Sequence, residues 1–223
     1  MMQVKICGIS NEIDALKAVE LGADAIGFVM GGAVLPVEVE PYAQHVRQII
    51  KKFPAGVDSY LVTHLFTAAE ILDLAEYIQS TGIQVSEDIP VAELAKLRKA
   101  TSRRIIKTIV TTDPKAKEKL KRYEPYCDYF LLDSRSAGYT GGTGQENDWQ
   151  ACAKLTQLAS KPVFIAGGLT CDNVAEAIRI THPYGTDVST GVSCWSEGYR
   201  KKDRKDPDKI RLFLEKSKTA GDE

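Results

Sequence analysis

Short apolar runs alternate with longer amphipathic ones along the whole length of this chain. Eight such pairs can be counted. The apolar runs fall at about residues 3–7, 24–29, 58–63, 82–86, 104–108, 128–133, 162–166 and 184–189. They are rich in β-branched and aromatic residues and show little polar alternation, as expected of parallel strands buried on both faces. The amphipathic segments, at roughly 11–21, 41–52, 67–80, 90–100, 113–124, 148–159, 171–181 and 206–218, predict helices. Asp113-Pro114 and Asp206-Pro207 each place a capping carboxylate before a proline at the first helical position, and Gly22 and Gly82 are read as stops for the helices before them. Eight strand–helix units favour a closed (βα)8 barrel, an α/β TIM-barrel fold, over an open doubly wound sheet. The segment Cys7-Gly8-Ile9-Ser10-Asn11 also lacks the G-x-G-x-x-G spacing of a dinucleotide-binding turn.

With 223 residues, 43% of them hydrophobic, the chain can bury one full barrel core, so a single domain over 1–223 is expected. The formal net charge of −1 gives no electrostatic reason to expect nucleic acid or an acidic membrane as partner, and a small molecule is the expected ligand. The N-terminus shows no basic region followed by an apolar run, and no stretch is long and apolar enough to span a bilayer, which predicts a cytoplasmic protein. Cys7, Cys127, Cys152, Cys171 and Cys194 are odd in number and form no C-x-x-C pair, so most are expected to be free thiols. The basic run Arg200-Lys201-Lys202-Asp203-Arg204-Lys205, inside the long segment Ser193 to Asp206, reads as a solvated loop.

In such a barrel the reactive groups lie at the C-terminal ends of the strands. Cys7, Asn11, His64, Ser86, Lys107, Asp133, Asp187 and Ser189 fall there and can face one pocket, whereas Asp14, Asp73 and Glu76 fall on helices and read as solvated surface. Loops after the later strands of a barrel often cradle phosphate with backbone N–H groups. Three glycine turns suit that: Gly141-Gly142-Thr143-Gly144, Ala166-Gly167-Gly168-Leu169 and Ser189-Thr190-Gly191-Val192. The candidate phosphate contacts are Gly142, Thr143, Gly167, Gly168, Ser189 and Gly191, although any one glycine pair also serves simply to turn the chain. Strands one and six lie roughly across a barrel from each other, so Cys7 and Asp133 could flank a sugar phosphate as base and acid, the arrangement an aldose–ketose isomerisation needs. The bland reading leaves Asp133 as a cap or as a salt-bridge partner of Arg135.

Together, Lys5-Ile6-Cys7-Gly8-Ile9-Ser10-Asn11, Leu21-Gly22-Ala23-Asp24-Ala25-Ile26-Gly27-Phe28-Val29, Leu131-Leu132-Asp133-Ser134, Gly141-Gly142-Thr143-Gly144, Ala166-Gly167-Gly168-Leu169 and Gly185-Thr186-Asp187-Val188-Ser189-Thr190-Gly191-Val192 resemble the phosphoribosylanthranilate isomerase family of tryptophan biosynthesis, in order and from end to end. The resemblance implies an Amadori rearrangement, with Cys7 as general base, Asp133 as general acid, and the backbone at Gly142, Gly168 and Gly191 holding the phosphate. It implies no metal and no organic cofactor, a phosphorylated small-molecule substrate, and a monomer or homodimer.

Three departures from the family pattern stand out. The family's arginine in the loop after strand two has no counterpart in Gly31-Gly32-Ala33-Val34-Leu35-Pro36-Val37, and no Lys or Arg occurs between Lys17 and Arg47. The family's Gln-Leu-His-Gly at strand four is Gln84-Val85-Ser86-Glu87, which adds a negative charge near the mouth. The Glu that usually follows the last glycine turn is Ser193. Asp187 and Arg135 are expected to contact substrate, with Arg135 or Arg200 replacing the missing cation. Alternatives are a related isomerase acting on another phosphorylated sugar or amine, and a non-catalytic phosphosugar-binding barrel.

Overall fold

The structure, a computed structural model, describes residues 2–31, 36–134, 147–196 and 199–222. Eight strands, β1 (Gln3–Ile6), β2 (Ala25–Met30), β3 (Asp58–Thr63), β4 (Gly82–Val85), β5 (Arg104–Val110), β6 (Tyr129–Asp133), β7 (Val163–Ile165) and β8 (Gly185–Val188), close into a parallel barrel in sequence order. Closure comes from β1 pairing with β8, which sets Lys5 opposite Asp187, while its other edge sets Lys5 opposite Ala25. Helices α1 (Glu12–Glu20), α2 (Pro36–Ile50), α3 (Ala68–Ile78), α4 (Val91–Ala100), α5 (Ala116–Tyr123), α6 (Trp149–Leu158), α7 (Val174–Thr181) and α8 (Pro207–Asp222) follow the strands in turn.

Strand alternation sorts the core into two shells. Val4, Ile6, Ile26, Phe28, Leu61, Ile83, Val85, Ile105, Ile109, Phe130 and Leu132 point outward into the large apolar layer between barrel and helices. Each such side chain, fully removed from water, stabilises by roughly 1.5–3 kcal/mol. Cys7, Ala25, Tyr60, Val62, Ile106, Leu131, Phe164 and Ala166 form the smaller cluster inside the barrel. At its N-terminal end Tyr129 stacks on Tyr184 at 5.3 Å and meets Phe164 edge-on at 5.7 Å, so aromatic rings fill that mouth.

Several expectations need correction. Helix α2 begins at Pro36, before the residue-41 start that the sequence suggested; Pro36 supplies the preset φ of a helix start, and Pro41 lies inside the helix. Gly82 does not stop α3. That role falls to Gln79, left-handed at φ 61°, while Gly82 opens β4, where any Cβ would run into the Tyr60 ring. Lys107 does not face the mouth: it alternates with the inward Ile106, and its ammonium donates to the carbonyls of Glu87 and Thr108 at 2.8 Å and lies over the Tyr123 ring.

The segment from Ser193 is not an irregular loop. It folds as an antiparallel hairpin of β9 (Ser193–Ser196) and β10 (Tyr199–Lys205), with Lys205 opposite Ser193 and both buried. Asp14 is likewise buried rather than solvated. Its carboxylate accepts from the Lys205 backbone N–H at 2.7 Å and pairs with Arg204 at 3.3 Å, which pins the end of the hairpin to α1.

Candidate active site

Cys7 follows β1 directly, and its N–H donates to the Val188 carbonyl at 2.8 Å, extending the ladder by one residue. Inward parity from Lys5 puts its thiol inside the mouth, 7% exposed. Gly8, at φ 66°, then turns the chain away; a Cβ there would strike Ser189 Oγ at 2.6 Å. Asn11 caps α1 by accepting from the Asp14 N–H at 2.9 Å.

Beneath the thiol, the Lys5 ammonium is wholly buried and bonds Asp187 Oδ1 at 2.8 Å. Gly27 on β2 leaves the space: a Cβ on it would meet Lys5 Nζ at 2.9 Å and Cys7 Sγ at 3.0 Å. Lys205 Nζ donates to the Ser189 carbonyl at 2.9 Å and lies 3.4 Å from Ser189 Oγ and 3.5 Å from Ser193 Oγ. Burial pushes the Cys7 thiol above its ordinary range; Lys5 and Lys205 pull it back, and the Asp187 carboxylate adds to the rise. Burial works against the charge on Lys5, yet Asp187 and Cys7 outweigh it, and the ammonium is held above the usual lysine range.

Asp133 ends β6 with the inward parity of Leu131 and is half-buried. Its carbonyl accepts from the Thr111 N–H at 2.9 Å, which continues the β5–β6 ladder. Next to it, Gly167 and Gly168 after β7 adopt φ of 88° and 70°. Only glycine fits the first of these positions, because a Cβ would lie 2.8 Å from Ser134 N and 3.0 Å from Asp133 Oδ1. Asn147 braces the same turn: its Nδ2 donates to the Ala166 carbonyl at 2.9 Å and its Oδ1 accepts from Thr111 Oγ1 at 2.7 Å. Asn173, at the start of α7, donates to the Gly168 carbonyl at 3.0 Å and accepts from the Thr170 N–H at 2.8 Å. Gly191 lies in a 3-10 turn, Thr190–Val192, packed so closely on the Leu169 carbonyl that no side chain fits.

The structure thus brings Cys7, Asp133, Gly167, Gly168, Asp187, Ser189 and Gly191 to one mouth. Gly142, Thr143 and Arg135 lie outside the described residues, as does the side chain of Arg200. Across the mouth from the β7–β8 turns, His64 Nδ1 meets Glu87 Oε1 at 2.6 Å, so the added acid of strand four is bonded to an imidazole. Sequence reasoning did not single out Lys5, Lys205 or Asn147. Lys5 carried a signal, since it lies two residues before Cys7 on the same strand and shares its face. Lys205 carried none, because a basic run gives no hint of which member turns inward.

The chain matches the family described as N-(5'phosphoribosyl)anthranilate (PRA) isomerase over residues 4–216. It is 35% identical over 221 residues to N-(5'-phosphoribosyl)anthranilate isomerase 2 of Methanosarcina mazei, covering 97% of this chain and 94% of that one. It is 34% identical to N-(5'-phosphoribosyl)anthranilate isomerase of Haloferax volcanii, covering 99% of this chain and 95% of that one. Among solved structures, phosphoribosyl anthranilate isomerase from Thermotoga maritima superposes with a TM-score of 0.81 at 30% identity, over 98% of this chain and all of that one. A structure of phosphoribosyl anthranilate isomerase in complex with reduced 1-(o-carboxyphenylamino)-1-deoxyribulose 5-phosphate superposes at 0.78, with 28% identity over the same shares. A barrel that sets a thiol and a carboxylate at one mouth beside glycine turns, matched from end to end by such relatives, belongs to the N-(5'-phosphoribosyl)anthranilate isomerase family.

Proposed function

We propose that this protein catalyses the rearrangement of N-(5'-phosphoribosyl)anthranilate to 1-(o-carboxyphenylamino)-1-deoxyribulose 5-phosphate. The observation that carries the reading is the placement of Cys7 and Asp133 on β1 and β6, both facing inward at the same mouth, with the left-handed Gly167–Gly168 turn against the carboxylate.

Asp133, protonated, gives its proton to the ribose ring oxygen as the C1'–O bond breaks and the amine nitrogen's lone pair forms the C1'=N iminium. The thiolate of Cys7 then takes the proton from C2', and that C–H electron pair becomes the C1'=C2' bond of an enolamine, neutralising the nitrogen. Tautomerisation of the enol to the C2' ketone, with protonation at C1', completes the aldose-to-ketose change. General acid–base groups of this kind contribute about 10²–10⁴-fold each. Backbone N–H groups at Gly168 and Gly191, joined by Gly142, would hold the phosphate, and Asp187 would act through Lys5. The named relatives support this substrate, and the absence of any cofactor from the scheme follows from its being proton transfer throughout.

A second reading, another aglycone on the same phosphorylated sugar, is favoured by one observation: no Lys or Arg occurs between Lys17 and Arg47, where the family pattern has its arginine. The deciding assay is turnover of phosphoribosylanthranilate generated in situ, together with rescue of a tryptophan auxotroph lacking this isomerase. Turnover that Arg135→Ala or Arg200→Ala abolishes identifies the replacement cation. No turnover by the folded protein would overturn the first reading in favour of the second. A cytoplasmic setting fits such biosynthetic chemistry, and no helix among the described residues is long and apolar enough to cross a membrane. Dimeric and monomeric forms are both described for the Thermotoga maritima relative, and a monomer or homodimer is the corresponding proposal here.

A further inference from the structure

We propose that His64, directly after β3, with the Ser86 hydroxyl beside it after β4, receives the carboxylate of the substrate's aglycone, on the side of the mouth where the loop after β2 offers no cation. The inference rests on the substrate read above, and it names the side chains that recognise that substrate's acid group.

Strand register places the imidazole. Met30 pairs with Thr63 and Thr63 with Val85, so Gly31, His64 and Ser86 are the next residues on three neighbouring strands. The Ser86 N–H donates to the Thr63 carbonyl at 3.1 Å, which carries the β3–β4 ladder one step past its last pair. His64 therefore keeps the inward parity of Val62, a member of the cluster inside the barrel, and stands next to the first residue of the loop after β2. Residues 31–35, 64–67 and 86–90, which follow β2, β3 and β4, contain no Lys or Arg, and His64 is the one basic side chain among them.

The neighbours hold the ring for an anion. Glu87 Oε1 meets Nδ1 at 2.6 Å, and the Glu87 backbone is fixed in turn by Lys107, whose Nζ donates to its carbonyl at 2.8 Å. With Nδ1 donating to Glu87, Nε2 is the nitrogen left for a ligand, and it carries no hydrogen bond among the described residues. An imidazolium donates from both nitrogens, so it can bridge Glu87 and a second carboxylate. Ser86 Oγ is buried and also lacks a hydrogen-bond partner. A hydroxyl buried in that state costs free energy, which a ligand oxygen arriving beside it would recover.

The experiment measures, by calorimetry on the full-length protein, the affinity for two compounds: reduced 1-(o-carboxyphenylamino)-1-deoxyribulose 5-phosphate and the same compound without its carboxylate. The wild type should bind the first roughly tenfold or more tightly than the second, the scale of hydrogen bonds to a charged group. His64→Asn should remove most of that preference and leave the affinity for the second compound unchanged. Ser86→Ala deletes only a hydroxyl without a partner, so the fold should be retained while the preference falls severalfold. A preference that survives both changes, a wild-type ratio near one, or no binding of either compound overturns the inference. So does an equal loss for both compounds in His64→Asn, which is the mark of a purely structural role. A wild-type protein that shows the preference but does not turn over phosphoribosylanthranilate would instead overturn the proposed function and leave this inference standing, so the two failures are told apart.

Discussion

Asp133 and Gly167 are in direct contact: Oδ1 of the carboxylate lies 3.0 Å from the point where a Cβ on Gly167 would sit, and the backbone there is left-handed at φ 88°. The proposed acid of β6 thus rests against the turn of β7, and its position depends on that residue having no side chain. Gly167→Ala should cost about 1–2 kcal/mol for the left-handed conformation alone. The methyl group should also displace Asp133, lowering kcat more than KM. Denaturant unfolding and steady-state kinetics on one preparation check both, and a variant neutral in kcat would show that Asp133 needs no such support.

Cys7→Ala and Asp133→Asn should each lower kcat by about a hundredfold or more with the fold retained, the usual scale for acid–base groups. Near wild-type turnover by either variant would remove that residue from the scheme.

The pH dependence follows from the thiol. Burial holds Cys7 above its ordinary range, so in the free protein its thiolate fraction, read by ultraviolet absorbance against a Cys7→Ser blank, should grow only as pH rises through the alkaline region. Asp187 adds to that rise, so Asp187→Asn should move the midpoint of this titration to lower pH. A midpoint that moves upward, or not at all, would show that Asp187 does not act on the thiol.

Lys5 and Asp187 form a buried ion pair, and removing one partner leaves the other charge buried without it. Lys5→Met is expected to destabilise by about 3–5 kcal/mol, and Lys5→Met with Asp187→Asn by clearly less. The measurement is a double-mutant cycle in urea; additive losses would mean that the pair is not coupled.

The repeating alternation of apolar and amphipathic segments was enough by itself to specify eight barrel strands, eight helices and a closed barrel, because parallel strands buried on both faces leave a continuous apolar signature and because Asp206 announces a helix start with its own side chain; Asp113, read as a second such cap, lies before α5, which begins only at Ala116. Cys7 and Asp133 were legible as candidates for the same reason, a thiol and a carboxylate falling at the ends of such strands. What the sequence could not supply was which charges meet. That Lys5 pairs with Asp187 depends on the β1–β8 closure, a contact between residues 182 apart along the chain. That Lys205 is buried among Ser189, Ser193 and the backbone of Gly8, while Arg204 beside it stays largely exposed, depends on the hairpin's pairing and on its anchorage to Asp14. Local pattern records the period of an element and the face it buries; long-range charge pairing is decided by barrel register and by the cost of leaving any buried charge unanswered, and only the folded chain sets both.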